Sequence, residues 1–465
     1  MKDFETLRNE YKEFIYREYK IFEEENYIKI EYKFEIPNLK VFTPTIEIEK
    51  RNIEFESIDN DIIKNIVFNI GMVEALSYWK CACPKKMIVE CGRLNNEQIQ
   101  WFKKLYYYGL GEYRYINNID VSKEEMIQIE CECKKEYEID INRIDANKKL
   151  KGTLIPIGGG KDSCVTLELL KQNKEDNLCI MIGGKVPSIE AAEVAGYEQK
   201  IVHIKRTIDK NLLELNKQGF LNGHTPFSAM LAFLSYLIAT LTGKKYIALS
   251  NESSANESNV EGEKINHQYS KSFEFEQDFR DYANKYLKTN VEYFSMLRPL
   301  NELQIAMLFA RNEKYHNIFR SCNVGSKSTP WEWCGNCPKC LFVYVILSPF
   351  LYKEKLVNIF KQDLFEKQEL LNTFIELCGY GKTKPFECVG TYEEVNFAIT
   401  KTIKNLEEGN VKLPYLLEYY KQNYNLADIK EDLSKKYNEE NNLPKELDNI
   451  LRKAIFNDWK NSWVF

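Results

Sequence analysis

The stretch Leu154–Leu170, LIPIGGGKDSCVTLELL, constrains this chain more than any other. Leu154–Ile157 is an apolar run sized for a buried strand. Gly158, Gly159 and Gly160 follow at once, and Lys161-Asp162-Ser163 lead into Val165, Leu167, Leu169 and Leu170 in a helical pattern. Strand, glycine loop and helix together hold a phosphate: glycines let backbone N–H groups approach an anion closely, and the helix N-terminus adds partial positive charge. Ser163 can offer both N–H and hydroxyl, and Lys161 a full charge. The loop is not a Walker A sequence, which needs four residues between its first glycine and its G-K-[ST] end, nor a G-x-G-x-x-G dinucleotide fingerprint. The plain alternative is an ordinary tight turn between strand and helix. The K-D-S directly behind an apolar strand argues against it.

Around this motif, residues 153–320 alternate strand and helix patterns. Strands are expected at Leu178–Ile182, Lys200–Ile204, Tyr246–Leu249 and Glu292–Ser295. Helices are expected at Ile189–Ala195, Ile208–Lys217, Pro226–Leu241, Phe275–Tyr286 and Leu303–Ala310. The alternation predicts an α/β fold, a parallel sheet with helices on both faces. Ligands of such sheets bind beyond the carboxyl ends of the strands, so the polar residues just after each strand are candidates. His224 opens the apolar helix from Pro226. Ser250–Glu257 follows a strand and brings Asn251, Glu252 and Asn256. Asn266–Ser272 ends a long loop and brings His267 and Lys271. Turn chemistry, helix capping and satisfied structural histidines are the competing readings of these residues. Only four histidines occur in the chain, and two fall in these loops.

Residues 1–150 read as a separate N-terminal α+β domain. A helical lead-in is expected over Met1–Glu25, strands at Tyr27–Phe34, Thr45–Phe55 and Lys86–Glu90, helices at Asp61–Trp79 and Asn96–Tyr108, and paired strands over Met126–Ile139. Cys81-x-Cys83 and Cys131-x-Cys133 could together clip a metal, or be core or surface thiols. Residues 151–320 form the phosphate-loop domain and residues 321–465 a cysteine-knuckle and helical C-terminal region. There Cys322 and Cys334-Gly335-Asn336-Cys337-Pro338-Lys339-Cys340 supply four thiolates in two overlapping C-x-x-C turns, the donor set of a tetrahedral zinc or an iron–sulfur cluster. Four protein ligands leave no open position, so the role would be structural.

The chain has 465 residues with 29% charged and 44% hydrophobic, as expected for a globular protein of two or three domains. A net charge of −5 weighs against a nucleic-acid partner. The charged N-terminus carries no signal-peptide core, and the apolar stretches 229–241 and 341–351 are too short to span a membrane. Thirteen cysteines without a secretory signal suit a reducing cytoplasm.

The glycine loop resembles the S-G-G-x-D-S pyrophosphate loop of the PP-loop ATP pyrophosphatase superfamily, with Gly158 in place of the serine. Within it, GGGKDS at 158–163, NGHTPFSA at 222–229, SNESSANE at 250–257, NHQYSKSFEFE at 266–276, WCGNCPKC at 333–340 and KPFECVG at 384–390 together resemble the ATP-dependent glutamate epimerase family of peptidoglycan synthesis. That resemblance covers about two thirds of the chain. It implies a PP-loop, adenine nucleotide α-hydrolase-like sheet, with ATP over Gly158, Gly159, Gly160, Lys161, Asp162 and Ser163 and Mg²⁺ offsetting phosphate charge. It also favours zinc at Cys322, Cys334, Cys337 and Cys340. The substrate it implies is UDP-N-acetyl-α-D-muramoyl-L-alanyl-L-glutamate, a nucleotide-sugar peptide whose terminal carboxylate is adenylated before Cα is inverted. His224 and His267 become proton-transfer candidates and Lys161 a catalytic cation, while Asn251, Glu252, Asn256 and Lys271 position substrate or Mg²⁺. The rival expectations are another AMP-forming ligase, a nucleobase- or tRNA-modifying enzyme, and a non-catalytic nucleotide-binding module.

Overall fold

The computed structural model describes residues 2–51, 53, 60–133, 150–184, 186–253, 269–322, 324–325, 331–381, 384–385, 387, 389–426 and 433–456. Among these residues, eleven strands form one mixed sheet: β1 Glu13–Glu23, β2 Tyr27–Ile36, β3 Lys40–Phe42, β4 Thr45–Glu49, β5 Lys86–Val89, β6 Gln128–Cys131, β7 Thr153–Pro156, β8 Leu178–Ile182, β9 Ile201–Thr207, β10 Tyr246–Leu249 and β11 Glu292–Ser295. Their order is β11-β10-β7-β8-β9-β4-β2-β1-β5-β6, with β3 added to β2.

The five strands β11-β10-β7-β8-β9 are parallel to their neighbours, as the alternating pattern predicts. Successive residues in them point to opposite faces. Leu154, Leu178, Ile180, Val202 and Ile247 enter one core; Ile155, Cys179, Met181 and Ala248 enter the other. Helices 60–79, 96–109, 227–241 and 273–282 cover the first face, and helices 161–170, 302–310, 338–347 and 392–408 the second. The C-terminal helices are therefore the second face's cover, needed because a parallel sheet buries both sides.

The sheet does not end at residue 150. β4 pairs antiparallel with β9, Thr45 opposite Thr207 and Ile48 opposite Ile204, so the N-terminal strands extend the same sheet. β2 alternates, with Ile28, Ile30, Tyr32, Phe34 and Ile36 buried and the residues between them half-buried, the pattern of an antiparallel sheet packed on one face. The expected N-terminal helix over Met1–Glu25 is corrected: only Phe4–Glu10 is helical, capped by Asp3, and Glu13–Glu23 is strand β1. Its aromatic and β-branched residues Phe14, Ile15, Tyr16, Tyr19, Ile21 and Phe22 suit a pleated surface, and pairing with β2 and β5 decides the matter. The strand expected over Thr45–Phe55 ends at Glu49. Residues 52 and 54–59, and residues 134–149, lie outside the described residues. Among the described residues no helix is long and apolar enough to cross a membrane.

Candidate active site

From β7 the chain runs outward to β8 and β9 on one side, then returns to lay β10 and β11 on the other. The carboxyl end of β7 is thus a topological switch point, where neighbouring connections diverge and leave a crevice for ligands. The glycine loop sits there, and the helix Lys161–Leu170 starts from it with no side-chain cap on its free N–H groups.

The three glycines do different work. Gly159 has φ +79, and a Cβ there would stand 2.6 Å from the Pro187 carbonyl carbon and 2.7 Å from the Ser188 nitrogen. Its carbonyl accepts the Arg320 N–H at 2.9 Å. Gly160 lies against Ser321, 3.5 Å from its own ideal Cβ, whereas Gly158 is exposed with nothing within 4 Å. The departure from the superfamily pattern therefore falls where a serine has room. Gly158→Ser is expected to leave the unfolding free energy within about 0.5 kcal/mol of wild type, as for an uncrowded surface change. Gly159→Ala is expected to cost about 1–3 kcal/mol, from strained φ and backbone overlap. Urea unfolding of both variants checks the contrast.

Lys161 is only 2% exposed, and its ammonium donates to the carboxylates of Asp162 and Glu302. Burial alone would lower its pKa, but the two carboxylates outweigh it and hold Lys161 above the ordinary lysine value. Glu302 is buried at 1% exposure, and burial pushes its carboxyl up to about 8 against the pull of Lys161. The Ser163 hydroxyl donates to the Gly160 carbonyl at 2.9 Å, closing the first turn.

The segments after β10 and β11 complete the site. The hydroxyls of Thr166 and Ser250 are 2.8 Å apart, tying the loop helix to the end of β10. The Ser295 hydroxyl donates to the Asn251 carbonyl at 2.6 Å, and Ser253 N–H to the Leu300 carbonyl at 3.0 Å. Fully buried Arg298 donates to the carbonyls of Glu252 (2.8 Å) and Lys271 (2.6 Å) while paired with Glu276 at 3.2 Å. Glu252 and Lys271 are thereby held together by a buried arginine, and Asn251 beside them by Ser295. Glu252 is itself buried at 6% exposure, close enough to Glu302 and Glu394 to oppose their ionisation.

His224 is exposed and precedes the helix Phe227–Leu241, which packs on the other face of the sheet from the loop helix. The structure does not bring it into contact with the lysine–carboxylate cluster. Its neighbourhood is the N-terminal helices: the Lys80 ammonium donates to the Gly223 carbonyl, and Asn117 to the Asn222 carbonyl at 3.0 Å. His267 and Asn256 lie outside the described residues.

Two residues of this cluster escaped sequence reasoning. Glu302 lies seven positions beyond the end of β11, and Asn301–Gln304 forms a capping box that explains it as a helix start. Glu394 belongs to a second capping box, Thr391 to Glu394, readable as T-x-x-E, and nothing in that pattern tells which element its carboxylate will meet.

Beside the glycine loop the four cysteines converge. The sulfurs of Cys322, Cys334, Cys337 and Cys340 all lie within 4.8 Å of one another, with edges of 3.8 Å (Cys322–Cys337), 3.7 Å (Cys334–Cys340) and 3.5 Å (Cys337–Cys340). Thiolates ~2.3 Å from a tetrahedral zinc are separated by ~3.8 Å, so the set fits that ion. Pro338 at the first helical position and Cys337 at the cap turn the chain sharply, and Gly325 N–H donates to the Cys322 sulfur at 3.1 Å, as backbone donors do around thiolates. Among the described residues this is the one group of three or more ligating side chains close enough for a metal. Cys81, Cys83, Cys131 and Cys133 do not come together as such a group. Cys81 and Cys83 are buried in the core beneath helix 60–79, where Cys83 sulfur meets the Tyr113 hydroxyl at 2.9 Å, and Cys131 lies at the end of edge strand β6. Burial pushes the Cys83 thiol up to about 12, the reverse of what a metal ligand needs.

Fold and site define an α/β protein with a glycine loop at a sheet switch point and a four-cysteine cluster packed against it. Comparison with known proteins narrows the class. Residues 5–296 match the MurL N-terminal domain and residues 318–425 the MurL C-terminal domain. A UDP-N-acetyl-alpha-D-muramoyl-L-alanyl-L-glutamate epimerase of Xanthomonas oryzae pv. oryzae is 34% identical over 71% of this chain and 72% of its own. Its namesakes from Salinispora tropica (34%, 71% of each chain) and a Micromonospora strain (33%, 71% of this chain and 73% of its own) agree. The chain belongs to the MurL epimerase family.

Proposed function

We propose that this chain is an ATP-dependent epimerase that adenylates the terminal glutamate carboxylate of UDP-N-acetylmuramoyl-L-alanyl-L-glutamate and inverts its Cα to D-glutamate, in the making of a peptidoglycan precursor. The observation that carries the ATP half is the glycine loop at the switch point, with uncapped helix N–H groups and Lys161 in the first turn. The substrate is taken from the relatives' names. The substrate carboxylate attacks the α-phosphorus and pyrophosphate leaves. The mixed anhydride makes the α-hydrogen more acidic, since no carboxylate charge then opposes a carbanion. A base removes the proton, an acid returns one to the other face, and water releases AMP.

Gly158, Gly159, Gly160 and Ser163 would cradle the phosphates through backbone N–H groups and a hydroxyl. Lys161 would stand at the reacting phosphate, but it is shared between two carboxylates and offers little net positive charge. A polyanionic triphosphate therefore calls for a divalent cation, and Mg²⁺ held by Asp162 or Glu252 with the phosphates suits the hard oxygen donors present. Asn251, Asn256 and Lys271 would position the substrate, and zinc at the four cysteines would brace the loop.

The test is product and isotope analysis. With ATP and the L-glutamyl substrate in D₂O, the products are expected to be AMP, pyrophosphate and a D-glutamyl dipeptide carrying deuterium at Cα. ADP and phosphate would remove the adenylation, and unchanged configuration without deuterium would remove the epimerase in favour of a ligase.

A further inference from the structure

The KPFECVG segment leads into Thr391 and the helix Tyr392–Glu408, whose third residue is Glu394. Glutamates in capping boxes ordinarily sit on exposed helix starts. This one is 3% exposed and spans two elements: Oε2 accepts the Thr391 N–H at 2.5 Å, and Oε1 accepts the Glu302 N–H at 2.7 Å. Glu302 in turn holds Lys161 of the glycine loop, so one residue separates Glu394 from the phosphate-loop cation. A carboxylate oxygen can accept two hydrogen bonds, so each oxygen of Glu394 keeps capacity beyond its backbone partner.

Glu394 also lines a cavity of about 360 Å³, with Ser253, Asn301, Thr391, Lys436 and Asn438 on other walls. Ser253 belongs to the post-β10 segment and Asn301 directly precedes Glu302, so this cavity adjoins the candidate ATP site. The carboxylate's seat depends on a glycine: a Cβ on Gly390 would stand 2.6 Å from Oε2 and 3.1 Å from the Phe342 ring. Burial raises the Glu394 carboxyl above the usual range, toward the pH at which a general base works best.

We propose that Glu394, from the wall of this cavity, is the base that removes the α-proton of the acyl adenylate, with the substrate's acyl end in the cavity. The assignment rests on the epimerase reading above. The Cα–H bond breaks, its proton goes to a Glu394 oxygen, and its electron pair passes into the acyl carbonyl to give the enolate. A solvent-derived proton then adds to the opposite face of Cα, and Glu394 returns its proton to solvent, so charge and atoms balance. His224, exposed over the other face of the sheet, is not required for this step.

Glu394→Gln tests it, because glutamine at the third helical position still serves a capping box, its one oxygen keeping the Thr391 N–H while its NH₂ faces the Glu302 N–H. In D₂O, deuterium incorporation and inversion are expected to fall by a factor on the order of 10² to 10⁴, the usual contribution of a general base. Single-turnover pyrophosphate release should fall far less. Gly390→Ala keeps the carboxylate but crowds it, and is expected to show the same split in weaker form. If Glu394→Gln incorporates deuterium at the wild-type rate, or if both half-reactions fall together in both variants, the assignment is overturned. A wild-type enzyme that releases pyrophosphate without deuterium would instead overturn the epimerase reading, and this step with it.

Discussion

Lys161→Met is expected to lower pyrophosphate release from ATP by a factor on the order of 10²–10³ and to destabilise the folded protein in the same substitution. The ammonium is buried between Asp162 and Glu302, and Glu302 is itself out of water. Removing one member of a buried ion pair costs about 3–5 kcal/mol when the remaining partner stays charged. Glu302 escapes part of that by taking up a proton, the form that burial favours. On the proposed reaction catalysis has no such escape: the cation assigned to the reacting phosphate is gone, and losing one preorganised group of this kind costs on the order of 10²–10³ in turnover. The double variant Lys161→Met/Glu302→Gln separates the two effects. Urea unfolding should show most of the lost stability regained, while pyrophosphate release stays as low as in the single variant. Turnover returning with stability would show that Lys161 serves folding alone.

Metal removal is the other large effect. Purified protein is expected to carry about one zinc per chain, and a strong chelator or Cys337→Ser should lower the unfolding temperature steeply. In isolated zinc-finger peptides the binding free energy, about 10–16 kcal/mol, is folding free energy. Here the damage should spread to nucleotide binding, because Arg320 N–H donates to the Gly159 carbonyl at 2.9 Å and Ser321 packs against Gly160, both within two residues of Cys322. Elemental analysis gives the stoichiometry, and nucleotide titration before and after chelation gives the coupling. Folded, active protein without any metal would refute the zinc, and unchanged nucleotide affinity after chelation would refute the coupling.

Local patterns carried much of the architecture. Tyr246–Leu249 and Glu292–Ser295 are strands with the boundaries their apolar runs predict, and helix 60–79 differs from its expected start by one residue. These segments are long or apolar enough for periodicity to decide. Glu13–Glu23, expected within a helix, is a strand for the opposite reason: charged and aromatic residues alternate there without a clear period, and only pairing with β2 and β5 selects the strand. The N-terminal strands read locally as their own unit because nothing in Thr45–Glu49 states that its partner is Ile201–Thr207, more than 150 positions away.

The sequence by itself determined the glycine loop and the thiolate set. In both, the chemistry depends on residues adjacent in the chain: three glycines behind a strand, and cysteines spaced for a tight turn. The tertiary structure alone decided which carboxylates surround that loop. Glu302, Glu394 and Glu252 come from three separate segments, and two of them double as helix caps or turn residues that local rules fully explain. Burial gathered them: Glu302 is set against Lys161 and Glu394 against the Glu302 N–H, contacts that no spacing along the chain encodes.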